Sequence, residues 1–200
     1  MDQIRTLLES GLLNALADEG LMPKAVVSEV NLPDAALVIQ QRRIPAVVYP
    51  FEGSFTMLRG AAACVLKVNI IANRFGYELS DCHGFNVVFD GARPCFVDLG
   101  SLVPRPKAAM GCTALEEFVR FYHYPLCIWR SGGGFVARRV LASSDLMSHD
   151  DFAHYRGYWF RDTYAQCRKN WYTYRLVSHF EPERVVRRLP SGLEQSVNGR

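Results

Sequence analysis

The residues most suited to chemistry lie in "LSDCHGFNVVFDGARPCFVDLGSL", residues 79 to 102. Asp81 and Asn86 stand five positions apart, and Asp98 follows twelve beyond Asn86. Phosphoryl transfer asks for little covalent chemistry from a protein. It needs a carboxylate aimed at the acceptor hydroxyl and hard oxygen ligands that hold magnesium against the phosphates. On this pattern Asp81 is the base or substrate-orienting carboxylate, Asn86 and Asp98 are the magnesium ligands, and His83 inside the loop contacts phosphate. Each residue also has a plain structural use: Asp81 can bond loop amides, Asn86 can cap a turn, and Asp98 can hold the tight turn at Gly100.

The flanking segments must position these side chains. From Ser54 to Phe75 the chain is apolar over most of a helical circumference, which predicts a central helix. Ser54 is a suitable N-cap, and Gly76 sits where a left-handed residue would end the helix. A polar loop over 78–84 follows. "FNVVF" and "CFVDL" then predict a β-hairpin, because Asp90-Gly91 supplies the positive φ angles of a tight turn.

Upstream, Ile4, Leu7, Leu8, Leu12, Ala15 and Leu16 predict one amphipathic helix over 3–18, stopped at Gly20. "KAVVSEV", "AALVIQ" and "RIPAVVYP" predict two or three short strands forming a partial β layer. Downstream, Thr113 and Glu116 form a capping box, and Pro125 is expected to bend or end the helix they begin. Ser131-Gly132-Gly133-Gly134 is a loop without the strand and G-K-[ST] of a phosphate cradle. Further helices are predicted over 135–142 and 149–178, the second rich in aromatic residues, followed by a disordered tail.

Composition narrows the function classes. The chain has 200 residues, 49% hydrophobic and 22% charged, with a net charge of +3. So small a charge does not call for nucleic acid, and the cations clustered at Arg168, Lys169, Arg184, Arg187 and Arg188 read as a solvated helix face. The six cysteines are scattered without a C-x-x-C pair or zinc spacing, so a reduced, cytoplasmic protein is expected. No signal peptide and no membrane span are expected either.

The spacing of Asp81, Asn86 and Asp98, with "DLG" where protein kinases carry D-F-G, resembles the catalytic segment of the kinase fold. The implied fold class is α+β and protein-kinase-like: a reduced N-terminal β layer, and a mainly helical C-terminal lobe carrying a β-hairpin. The corresponding divisions are residues 1–50, 51–188 and a tail over 189–200. The phosphate-gripping half has no recognisable glycine-rich loop. Lys24 is the only lysine upstream of residue 50, and Lys24 and Arg43 are the candidates for contacting the cofactor's phosphates. Arg42 also adjoins a strand, with Glu29 and Glu52 as possible partners.

"RIPAVVYPFEGSFTMLRGAAACVL", "YELSDCHGFNVVFDGARPCFVDLGSLVP" and "FVRFYHYPLCIW" together resemble the N-terminal region of a family of bacterial class I S-adenosylmethionine-dependent methyltransferases. In that family a kinase-like segment precedes the methyltransferase domain. The densest motifs here are Tyr49, Pro50, Glu52, Ser54 and Phe55, then Asp81, Asn86, Phe89, Gly91, Arg93, Pro94, Phe96 and Asp98. Gly53 replaces the family's usual tryptophan. "VDLGSLVPRP" has one glycine and then prolines, so S-adenosylmethionine is not expected to bind this chain, nor is methyltransferase activity expected of it alone.

The resemblance implies a stand-alone or truncated accessory region that binds magnesium and ATP or another phosphate compound. If active, it would be a phosphotransferase. The alternative it implies is a non-catalytic module that positions a methyltransferase partner or its substrate.

Overall fold

A computed structural model of the protein describes residues 2–48, 52–105, 113–143 and 145–156. It begins with two short helices, α1 (Asp2–Glu9) and α2 (Leu12–Asp18), where apolar periodicity predicts one. The break lies at Ser10-Gly11. Ser10 Oγ donates to the Leu7 carbonyl at 2.7 Å and accepts from Leu12 N at 3.1 Å, and Gly11 adopts φ 80°. That left-handed conformation turns the chain, and glycine adopts it without a Cβ penalty. Leu7, Leu12 and Leu16 still reach the core from both halves.

The N-terminal β layer has two of the two or three strands expected. Strands β1 (Ala25–Val27) and β2 (Ile39–Gln41) pair antiparallel, Ala25 with Gln41 and Val27 with Ile39. Residues 43–48 form no strand. Pro45 lacks the N–H that a ladder would need.

Helix α3 (Phe55–Arg74) is the centre of the fold, with ten buried residues. Ser54 Oγ accepts from Met57 N at 3.2 Å to cap it, and Gly76 follows at φ 79°. Among the described residues it is the one helix long and apolar enough to cross a membrane; here it packs against α2 and against strands on its C-terminal side. One polar residue lies fully buried on it. Asn69 Oδ1 accepts from Leu79 N at 3.1 Å, tying the helix to the strand that follows.

That strand, β3 (Tyr77–Leu79), pairs antiparallel with β6 (Leu102–Pro104). The pairing takes up part of the predicted polar loop. Three-residue strands 25 positions apart carry too little alternation to be read from sequence. Between them stands the predicted hairpin, β4 (Val87–Asp90) and β5 (Arg93–Phe96), with Asp90 opposite Arg93. Only Gly91 has a positive φ, 63°, so the turn needs glycine at its first central position and not at the second.

The predicted helix after residue 112 runs through Pro125. Helix α4 (Thr113–Phe118) widens into a π-helical stretch (Val119–His123) and continues as α5 (Tyr124–Arg130). Proline lacks an N–H and crowds the carbonyl one turn earlier, and a π-helical bulge at that turn relieves both problems. Helix α6 (Gly134–Ala142) folds back on α5, and α7 (His149–Arg156) stacks Phe152 on Tyr124 at 3.8 Å between ring centroids. Arg120 locks this corner by donating to the carbonyls of Leu146 and Met147. The expectations for residues 157–200, namely the rest of the aromatic helix, the basic cluster and the tail, lie outside the described residues, as do Tyr49 and Pro50.

Candidate functional site

The loop from Ser80 to Asn86 is bonded along its length. Ser80 N donates to the Ser101 carbonyl at 2.8 Å, carrying the β3–β6 pairing into the loop. Asp81 Oδ1 accepts from His83 N at 2.8 Å, and a single 3-10 turn over Gly84–Asn86 follows. Val97 N donates to the Asn86 carbonyl at 2.9 Å, extending the hairpin register by one step. Asp98 therefore leaves β5 one residue beyond the backbone partner of Asn86.

The structural uses foreseen for the two aspartates are both present. Asp98 Oδ1 accepts from Gly100 N at 2.9 Å, and Oδ2 accepts from the Ser101 hydroxyl. These bonds hold the turn without exhausting the carboxylate, which offers about four lone-pair positions. Asn86 Nδ2 is buried and has no hydrogen-bond partner of ordinary geometry among the described residues. It lies close enough to Asp81 to favour the ionised carboxylate.

Sequence reading missed Glu117. Its Oε2 accepts from Cys82 N at 2.7 Å, which brings its carboxyl beside that of Asp81. Two carboxyls held at close range resist ionising together, because like charges repel. Burial and then Asp81 push Glu117 up to about 7, with the Cys82 amide opposing. Burial alone would raise Asp81, but the His83 amide, Glu117 and Asn86 together hold it below its ordinary 3.8. Asp81 is thus the charged member near neutrality, and Glu117 is the member that titrates.

A pH prediction follows. Because folding raises Glu117 from 4.5 to about 7, its contribution to stability is complete below pH 4.5 and is lost as pH rises through 7. The depressed Asp81 acts in the opposite sense and below that window, losing its contribution as pH falls through its lowered value. His83, lowered chiefly by burial, contributes with opposite sign, so the useful quantity is the difference between variants. Gln at 117 keeps an acceptor for Cys82 N and can donate to Asp81 without charge. Glu117→Gln should match wild type near pH 5 and exceed it by about 1 kcal/mol at pH 8, allowing for solvent screening of a half-exposed group. Urea melts across this range would measure it; a pH-independent difference would refute the raised Glu117 carboxyl.

His83 packs between rings: stacked on Phe85 at 4.9 Å and tilted against Phe121 at 4.6 Å. Its Nδ1 accepts from Phe85 N at 3.5 Å, which leaves Nε2 to carry the proton of the neutral ring. Gly84 lets the loop lie directly on Phe121. Beside it a small apolar cavity of about 20 Å³ opens between the loop, the hairpin residues Val87 and Phe89, and Met57 and Leu58 of α3.

The two predicted phosphate-contacting cations fall elsewhere. Lys24 lies against Arg42, whose N donates to the Lys24 carbonyl at 3.3 Å, and both line a second cavity of about 290 Å³ with Arg93 and Asp90. Arg43 is exposed just after β2 and is not part of that lining. The site around Asp81 therefore gathers Asn86, His83 and Glu117, while Lys24 belongs to a different cavity.

No protein-family model matches the chain, and no solved structure matches it. The nodulation protein NoeA of Rhizobium meliloti (strain 1021) is 33% identical to it over 98 residues, covering 46% of this chain and 21% of NoeA. The chain thus spans about 21% of the length of that relative.

Proposed function

We propose that this chain is a kinase-like module that binds a magnesium-chelated phosphate compound, as the accessory region of a bacterial methyltransferase-type protein. The observation that carries this reading is the shared placement of Asp81 and Asn86 on a loop pinned by Glu117, with the backbone of Asn86 bonded to the neighbour of Asp98. The donor set suits a hard cation, since it offers oxygen alone. Among the described residues no three His, Cys, Asp or Glu side chains gather into a metal-binding group. Magnesium often rests on one or two carboxylates plus substrate phosphates, so Asp98 and the Asn86 amide oxygen are a sufficient protein share.

When bound, the ion would neutralise phosphate charge. The Asn86 side-chain amide lies beside Asp81, and its Oδ1 is the atom suited to the cation. Asp81, held ionised by three neighbours, is fit to orient an acceptor hydroxyl and take its proton. Glu117 keeps the loop in place through Cys82 N.

Thermal shift and calorimetry with Mg-ATP test the proposal. The informative variant is Asp98→Asn, which retains an acceptor for Gly100 N while removing the charge. Wild type should be stabilised by Mg-ATP but not by ATP with a chelator. Asp98→Asn should bind at least about ten-fold more weakly, some 1.4 kcal/mol. Identical absence of response in both proteins would remove the case for a working site.

A second reading is favoured by one observation: both oxygens of Asp98 already hold a turn. On that reading the loop is scaffold, and the module positions a methyltransferase partner or its substrate. Co-purification with a class I methyltransferase, together with no Mg-ATP response, would select it. A cytoplasmic location belongs to both readings; Cys64, Cys82, Cys95 and Cys127 form no disulfide.

A further inference from the structure

We propose that the cavity between the α2–β1 turn, the end of β2 and the outer face of the β4–β5 hairpin binds the phosphoryl group of a small phosphorylated compound through Lys24, Arg42 and Arg93. The hairpin register creates the two-sidedness this needs. Side chains alternate across a strand, so Val87 and Phe89 face one side while Asp90, Arg93 and Cys95 share the other. The first set borders the small apolar cavity, and the second borders this one. The cavity is therefore distinct from the surroundings of the Asp81 loop, and the inference does not rest on that site working.

Charge and preorganisation point to an anion. Three cations from three separate elements converge on one concavity, against the carboxylates of Asp18 and Asp90. Asp90 is committed: it is ion-paired with Arg42. That pair fixes the Arg42 guanidinium at the cavity wall and leaves it further N–H donors, since arginine offers five. Among the described residues Lys24 and Arg93 have no ion-pair partner. Cations spread along a solvated helix face keep apart, whereas these are held together, and a dianion would offset their repulsion.

Size sets the ligand class. About 290 Å³ lies at the lower end of ligand pockets, which run from about 300 to 1,000 Å³, and suits a phosphate ester or pyrophosphate better than a whole nucleotide.

Calorimetry of the full chain with inorganic pyrophosphate and with glycerol phosphate, both without magnesium, tests this. Wild type should bind at least one of them, and the tighter one identifies whether the phosphoryl group is free or esterified. Lys24→Ala/Arg93→Ala should weaken binding at least ten-fold. Arg5→Ala/Arg139→Ala, which removes the same charge from exposed positions elsewhere, should leave it unchanged. Asp98→Asn should also leave it unchanged, so this site stands or falls separately from the magnesium site. No binding by wild type, or equal losses in the two double variants, would overturn the proposal.

Discussion

Gly84→Ala should lower stability by about 3 kcal/mol, at the upper end of what overpacking a core costs. A Cβ at 84 would stand 1.8 Å from Phe121 Cε1 and 2.3 Å from Cζ. The ring cannot retreat easily: Phe121 is 2% exposed and packs on His83 and Tyr122. The cavity beside it, about 20 Å³, is too small to receive a ring. Either Phe121 displaces its neighbours or the loop lifts from the helix. In a domain of this size, a loss of that order would depress Tm by roughly 10 °C.

Two controls separate steric overlap from other causes. Gly84 needs no left-handed backbone, so the penalty resides in contact with Phe121 and not in φ. A double-mutant cycle with Phe121→Ala should therefore show favourable coupling of more than about 1 kcal/mol. If the loop lifts, Cys82 N also leaves Glu117, and the pH dependence between 4.5 and 7 should shrink with it. A Gly84→Ala protein as stable as wild type would show that the loop does not lie on this ring.

Asn69→Ala should cost about 2 kcal/mol, since removing one partner leaves a buried N–H unsatisfied at about 1–3 kcal/mol. The stranded group is Leu79 N–H, which now donates to Asn69 Oδ1 at 3.1 Å, with Leu79 1% exposed. Asn69 Nδ2 has no hydrogen-bond partner among the described residues, so the net gain rests on Oδ1. Asn69→Leu restores the lost volume without the acceptor. It should be nearly as destabilised as Asn69→Ala if the hydrogen bond dominates, and close to wild type if packing does. Amide exchange at Leu79 supplies a local check: its protection should fall in both variants. Because Leu79 ends β3 just before Ser80 and Asp81, the same bond sets where the candidate site begins.

Much of the frame was legible because its causes are local. Ser54 caps α3 through an amide three residues away, Gly76 follows at positive φ, and Asp98 holds its turn two and three residues ahead. The hairpin followed from Asp-Gly and its flanking apolar residues. The single N-terminal helix was misjudged where Gly11 breaks it, because apolar periodicity continues across a turn that the backbone does not. The helix does not end at Pro125, because a π-helical stretch in the preceding turn absorbs what proline cannot donate.

Amino-acid order alone determined the central apolar helix, the hairpin and the spacing of Asp81, Asn86 and Asp98, since each depends on bonds or side-chain periods spanning a few residues. Tertiary structure decided that Glu117 reaches Cys82 N beside Asp81, that Phe121 demands glycine at 84, and that Lys24 lines a cavity with Arg42 and Arg93 away from the loop. Those pairings join residues far apart in the chain. Their partners are chosen by how helices and strands pack around α3, and no local pattern records that choice.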